Sequence, residues 1–196
     1  MKKIAITLMT MILFSNISKA QKFENYNKLW KEVQQFEVKS LPKSALEVVE
    51  TIYKKAHKDS NSAQITKALL YKSKYVLVLE ENAQLQIINL FKEEIEKANT
   101  PAKNVLESVL ANLYWQYFQQ NRYKFYNRTK TSEKVDESDF RTWDLETLFT
   151  DIHTHFQNSL KNGIILQQTN LEDFNDILHL QKDSKKFRPT LYDFIA

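Results

Sequence analysis

Apolar residues in this chain recur every three or four positions rather than every second one, the spacing of one face of an α-helix. Tyr26, Leu29, Trp30, Val33 and Phe36 predict a first helix. Leu46, Val49, Ile52, Tyr53 and Ala56 predict a second, with Pro42 near its start, where a missing N–H costs least. After the polar turn Asp59-Ser60-Asn61-Ser62, a third carries Ala68, Leu69, Tyr75, Val76 and Leu79, and Leu85, Ile88, Phe91 and Ile95 mark a fourth. Thr100-Pro101 reads as the N-cap and N1 proline of a fifth, which holds Val105, Val109, Leu110, Leu113, Tyr114 and Tyr117. A polar loop is expected from Arg128 to Asp139. A sixth helix follows with Leu145, Leu148, Phe149, Ile152, Phe156 and Leu160, ending at Asn162-Gly163 in the C-cap role. A short seventh, opened by Asn170, holds Leu171, Phe174, Ile177 and Leu178.

Helices two to five are joined by short links, which make neighbours antiparallel. The expected fold is therefore all-α, about seven helices in stacked antiparallel hairpins. A hairpin spacing of about 40 residues suits an α-solenoid, although no repeated motif accompanies it. The tetratricopeptide pattern is only loosely matched, and its glycine is missing. Near the end, Thr190 and Asp193 stand at capping-box spacing after Arg188-Pro189, and Leu191, Tyr192, Phe194 and Ile195 begin an apolar surface. One turn of helix does not sustain itself. Such a turn either docks on the preceding helices or leads into further chain, and the pattern favours the second.

Composition removes several chemistries. Gly163 is the only glycine, against an average usage of about 7%. P-loops, dinucleotide fingerprints, nucleophile elbows and Asn-Gly hairpin turns are thereby excluded. Without cysteine there is no disulfide, thiol nucleophile or thiolate metal site.

Residues 1–20 read as a secretory signal peptide. Lys2 and Lys3 precede eleven residues of apolar character from Ile4 to Phe14, and Ser18 and Ala20 flank Lys19 just before Gln21. The run is shorter than the about 20 residues of a membrane span, and with no cysteine after it a lipoprotein anchor is excluded. Its removal takes Lys2, Lys3 and Lys19, lowering 28 basic residues to 25 against 24 acidic, so a charge of +4 becomes +1. The basic signal that would suggest a nucleic-acid partner largely leaves with the address. The expected domains are a signal peptide over 1–20 and a helical domain over 21–196, exported to the periplasm or cell envelope, with no transmembrane span after cleavage.

The run from Tyr114 to Arg128 interleaves aromatic and basic residues, as single-strand binding platforms do. Helical spacing instead divides it into a buried face, Tyr114, Tyr117, Phe118 and Phe125, and a second face, Trp115, Arg122 and Tyr126. Trp115, Arg122, Tyr126 and Arg128 are the candidate contacts for a protein partner. Asp151, His153 and His155 suggest a metal cluster, but residues two apart on a helix point about 200° apart, so no metal is expected; His57 and His179 are solitary. Glu80-Glu81, Glu93-Glu94 and Glu172-Asp173 are paired carboxylates expected on solvated faces, and no serine stands in a nucleophile context. Asn127-Arg128-Thr129 matches the N-glycosylation acceptor by chance, given a bacterial-looking signal. No catalytic residue and no cofactor is expected.

Five blocks in order carry a family resemblance: Leu41-Pro42-Lys43-Ser44-Ala45-Leu46; Lys67-Ala68-Leu69-Leu70-Tyr71-Lys72; Leu113-Tyr114-Trp115-Gln116-Tyr117 with Asn121-Arg122 and Phe125-Tyr126-Asn127-Arg128-Thr129; Thr142-Trp143-Asp144-Leu145; and Arg188-Pro189-Thr190-Leu191-Tyr192-Asp193-Phe194. Together they resemble the N-terminal helical region of large bacterial alpha-2-macroglobulin-like proteins. The resemblance implies a much longer exported protein that inhibits or traps proteases at the envelope, often through a Cys–Gln thioester. This chain has no cysteine, so that chemistry and its residues do not transfer. What the resemblance implies here is a non-catalytic leader scaffold, in contact with other domains of its own chain or an envelope protein, and with proteases through those domains. The alternative is a self-contained, tetratricopeptide-like periplasmic adaptor that holds a peptide or envelope protein in its concave face.

Overall fold

The computed structural model describes residues 26–81, 83–126, 136–178 and 180–196. The signal segment, Arg128 with its glycosylation triplet, most of the expected loop and His179 lie outside the described residues. The chain is all-α: α1 (residues 26–38), α2 (Pro42–Lys58), α3 (Ser62–Leu79), α4 (Ala83–Lys97), α5 (Ala102–Tyr126), α6 (Leu145–Ser159), α7 (Gly163–Gln168), α8 (Ser184–Phe187) and α9 (Leu191–Ile195). Single 3-10 turns stand at Phe140–Thr142 and Leu171–Phe174, and no strand occurs among the described residues.

The first six helices follow the apolar spacing, and their ends follow local chemistry. Pro42 occupies the first turn of α2, and the Asn61 side chain accepts from the Gln64 N–H at 3.1 Å to cap α3. Asp144 caps α6 by accepting from the Thr147 N–H at 2.8 Å. The start of α5 differs from expectation. Its first residue is Ala102, and Thr100 does not cap it; the Thr100 hydroxyl accepts instead from Asn162 Nδ2 at 3.3 Å.

The Asn162-Gly163 corner also divides its work differently. Asn162 takes the left-handed conformation, φ 59°, while Gly163 has an ordinary φ and opens α7. Asparagine tolerates that region better than most residues. Gly163 serves close approach: a Cβ there would stand 3.2 Å from Tyr192 Cε2 of α9.

The expected seventh helix is one 3-10 turn, opened as predicted by Asn170, whose side chain accepts from the Glu172 N–H at 3.0 Å. Three short helices accompany it, too short to stand alone. The final turn forms the capping box, with Thr190 N–H donating to Asp193 Oδ2 at 3.0 Å and Asp193 N–H to Thr190 Oγ1 at 3.3 Å. It docks: Leu191 is fully buried with Val105, Leu166, Leu171 and Phe174.

Neighbouring helices pair as hairpins, α2 on α3, α4 on α5, and α5 on α6. One core joins α1 to α3 through Tyr26, Trp30, Val33, Val49, Ile52 and Ala68. A larger one joins α3 to α6 through Leu69, Phe91, Leu110, Tyr114, Trp143 and Leu148. Leu46 and Tyr53 of α2 pack against both. Burying each large side chain is worth about 1.5–3 kcal/mol, so these cores rather than helix propensity hold the stack.

Candidate functional site

The aromatic run of α5 splits as its spacing predicts. Tyr114, Tyr117, Phe118 and Phe125 are buried, with Phe140 standing 5.1 Å from Tyr114 and 4.8 Å from Tyr117. Trp115, Arg122 and Tyr126 face outward, Trp115 at 39% exposure and Tyr126 at 70%. Phe149 of α6 extends this surface: its ring meets Trp115 at 5.9 Å, edge to face, and is itself part-exposed. The fourth candidate contact, Arg128, is outside the described residues.

A second feature has no counterpart in the sequence pattern. A cleft of about 920 Å³ opens where the α2–α3 turn, the α4–α5 turn and the 3-10 turn at Leu171–Phe174 converge. Its lining comes from three segments: His57 and Asp59 to Thr66, Glu94 with Lys97 to Ala102, and Glu172 to Asp176. Lysines compensate several of these carboxylates. Lys55 Nζ lies 2.8 Å from Asp59, Lys67 Nζ 3.5 Å from Asp176 and Lys185 Nζ 3.8 Å from Glu172.

Glu94 corrects an expectation. Glu93 is exposed, but Glu94 is only 4% exposed; it accepts from the Tyr53 hydroxyl at 2.6 Å and faces His57 Nε2 at 3.4 Å. It sits between Phe91 and Ile95 on the inward side of α4, where a carboxylate needs partners. Glu80-Glu81 and Glu172-Asp173 are exposed as expected. The three-residue histidine cluster separates. His153 is exposed, while His155 turns inward, its Nδ1 2.5 Å from Glu107 Oε2 and its ring stacked on Tyr114. Among the described residues no group of three or more His, Cys, Asp or Glu is placed to hold a metal ion, and no helix is long and apolar enough to cross a membrane.

The buried Glu94, Glu107 and Asn104 are what residue type alone misses. Their signal was positional, since each shares a helix face with apolar neighbours.

Comparison with family models, curated proteins and solved structures finds no match to this chain. Its function is therefore to be sought in these surfaces and in the sequence resemblance.

Four phenols give the fold a pH signature. Burial, aided by a nearby carboxylate, holds Tyr26 (Asp59), Tyr53 (Glu94), Tyr75 (Glu37) and Tyr114 (Asp151) well above the ordinary 10.0. The unfolded chain ionises near that value and the native one only above it. The stability these groups contribute is complete below 10.0 and is lost as pH rises from there through their native values. In an alkaline titration, tyrosinate absorbance from these four should develop only as helical circular dichroism is lost. Full tyrosine ionisation with helicity intact would contradict this.

Proposed function

We propose that this chain is a non-catalytic helical scaffold, the leader of an exported alpha-2-macroglobulin-like protein. It contacts further domains of that protein, or an envelope partner, through the outer face of α5. One observation carries the contact surface: Trp115, Arg122 and Tyr126 share an exposed face with Phe149, while Tyr114, Tyr117, Phe118 and Phe125 of the same run close the core. Tryptophan, tyrosine and arginine are the residues that anchor protein interfaces, because each offers a large contact area with a polar or charged end.

The resemblance blocks support a scaffold rather than a catalytic reading. Pro42 opens α2, Trp143 and Asp144 build the entry to α6, and Thr190 with Asp193 caps α9. All are corner residues. Protease trapping at the envelope would then belong to the rest of the protein.

The adaptor alternative is favoured by the cleft, which has a mixed polar and apolar lining and is large enough for a peptide side chain or two. Immunoblotting the envelope fraction with antibody to residues 21–196 separates the two. A species several times larger than 23.3 kDa is expected, and a stable band at or below that mass would overturn the leader reading. Substituting Trp115, Arg122 and Tyr126 together by Ala should abolish co-purification of the contact partner while the helical circular dichroism of the folded chain is retained. Retained co-purification would remove the α5 face from the proposal.

A further inference from the structure

Trp30 Nε1 donates to Gln64 Oε1 at 2.7 Å, and Lys74 Nζ lies 2.5 Å from Glu37 Oε1. The two contacts follow the same order along both helices, so α1 and α3 run the same way and end together, where α2 begins. One turn beyond the Glu37–Lys74 pair, both segments expose apolar side chains. Val38 is 87% exposed and Val78 69%, with Leu41, Leu77 and Leu79 between 42% and 46%. The α1–α2 corner holds Leu41 in place: Ser40 takes a φ of 56°, and the Leu41 N–H donates to the Phe36 carbonyl at 2.9 Å.

Charge flanks this apolar surface with opposite signs. Lys39 and Lys43 stand on the α1–α2 side, Glu80 and Glu81 on the α3 side, all four exposed and without an ion pair among the described residues. Both signs also oppose the nearby helix dipoles. The N-terminus of α2 is partially positive, yet its first turn holds Lys43 and no acid. The C-terminus of α3 is partially negative, yet Glu80 and Glu81 follow it and its last turn holds no base.

We propose that this end of the stack is the interface of a two-fold symmetric dimer, its occupant a second copy of this chain. A two-fold axis between the α1–α2 corner and the end of α3 lays apolar surface on apolar surface. It brings the acidic rim of each copy over the basic rim of the other, so each helix end gains from the second copy the charge that its own chain withholds. A lipid surface or a nucleic acid selects one sign of charge, whereas two signs on opposite sides of one patch match the same patch rotated. The surface is small, which places the dimer among weak, reversible assemblies. It is separate from the α5 face and independent of the family reading.

Sedimentation velocity on the protein purified after expression of the full sequence tests it. The mass should rise towards twice that of one chain as its concentration passes through about 1–100 μM, the range of a small interface. Lys39→Glu with Lys43→Glu, and separately Glu80→Lys with Glu81→Lys, should each weaken self-association about tenfold or more, because like charges then face each other. Mixing the two double variants should restore association, since both rims are complementary again. Lys43→Glu and Glu80→Lys also suit the dipoles of their own helices, so loss of folding does not explain the weakening. Val78→Asp should abolish the dimer with helical circular dichroism retained. A monomer throughout the range, with or without binding to anionic vesicles, would overturn the proposal. So would a dimer indifferent to both charge reversals, or a mixture of the two variants that stays monomeric.

Discussion

Asn104→Asp should lower the stability of this protein by about 3–5 kcal/mol, the cost of an uncompensated buried charge. Asn104 lies in the first turn of α5 at 3% exposure and works as a clamp on the end of α6. Its Nδ2 donates towards the carbonyl oxygens of Asn158, Ser159 and Lys161 at 3.3, 3.0 and 2.8 Å. The last carbonyls of a helix have no partners within it, and this one amide supplies them. An aspartate of the same shape turns the donor into an acceptor facing three acceptors. It must either stay charged without a donor or bind a proton at a cost that grows with pH. Asn104→Ala, which removes the donor without adding charge, should cost less, about 1–3 kcal/mol. Urea unfolding of the three proteins at neutral pH decides the matter. If Asp costs no more than Ala, the side chain finds another donor and the clamp does not operate as described.

Trp143→Ala should cost a similar amount, about 3–5 kcal/mol, for a different reason. Trp143 is 1% exposed where the 3-10 turn Phe140–Thr142 hands over to α6. Its ring lies 6.0 Å from Tyr114 and 6.4 Å from Phe140, and its Nε1 donates to the Asp136 carbonyl at 2.7 Å. Truncation opens a cavity at the centre of the larger core and releases that carbonyl. Tyr114→Phe is the contrasting change at the same place. The Tyr114 hydroxyl is buried with no hydrogen-bond partner among the described residues, so its removal should cost under about 1 kcal/mol or stabilise. Equal midpoints for the two variants would mean that this corner does not hold α5 against α6.

Trp143 and Asp144 also show how much of the chain is legible before folding. The block Thr142–Leu145 stood out in the sequence as part of a family resemblance, without any indication of its work. In the structure it is a packed tryptophan followed by a helix cap. The two faces of α5 were readable because 3.6 residues per turn sorts positions whatever surrounds them. Tyr114 and Trp115 therefore diverge as their numbers predict, one fully buried and the other outside. Asn170, and Thr190 with Asp193, were readable as caps because capping is settled within three residues.

The cleft was not readable. Asp59, Glu94 and Asp176 come from three segments far apart in sequence, and no local rule links them. Residue type also misleads wherever a polar group is inside. Glu94 beside Glu93 looks like solvated surface until Tyr53 of α2 is placed against it. Glu107 reveals its role only once His155 of α6 faces it. Gly163 looked like a helix terminator, yet Asn162 takes the left-handed turn and the glycine yields space to Tyr192. That last turn docks because four other residues, from α5, α7 and the 3-10 turn, form a socket for Leu191.

The sequence by itself determined the helical class, the place of the first six helices, most of the inward face of each, and the caps at Asn170 and Thr190. Those depend on spacing and on hydrogen bonds spanning a few residues. The tertiary structure alone decided which polar groups are buried and where the cleft lies. Those depend on distant segments meeting, where a buried charge or amide is tolerated only if another element brings its partner.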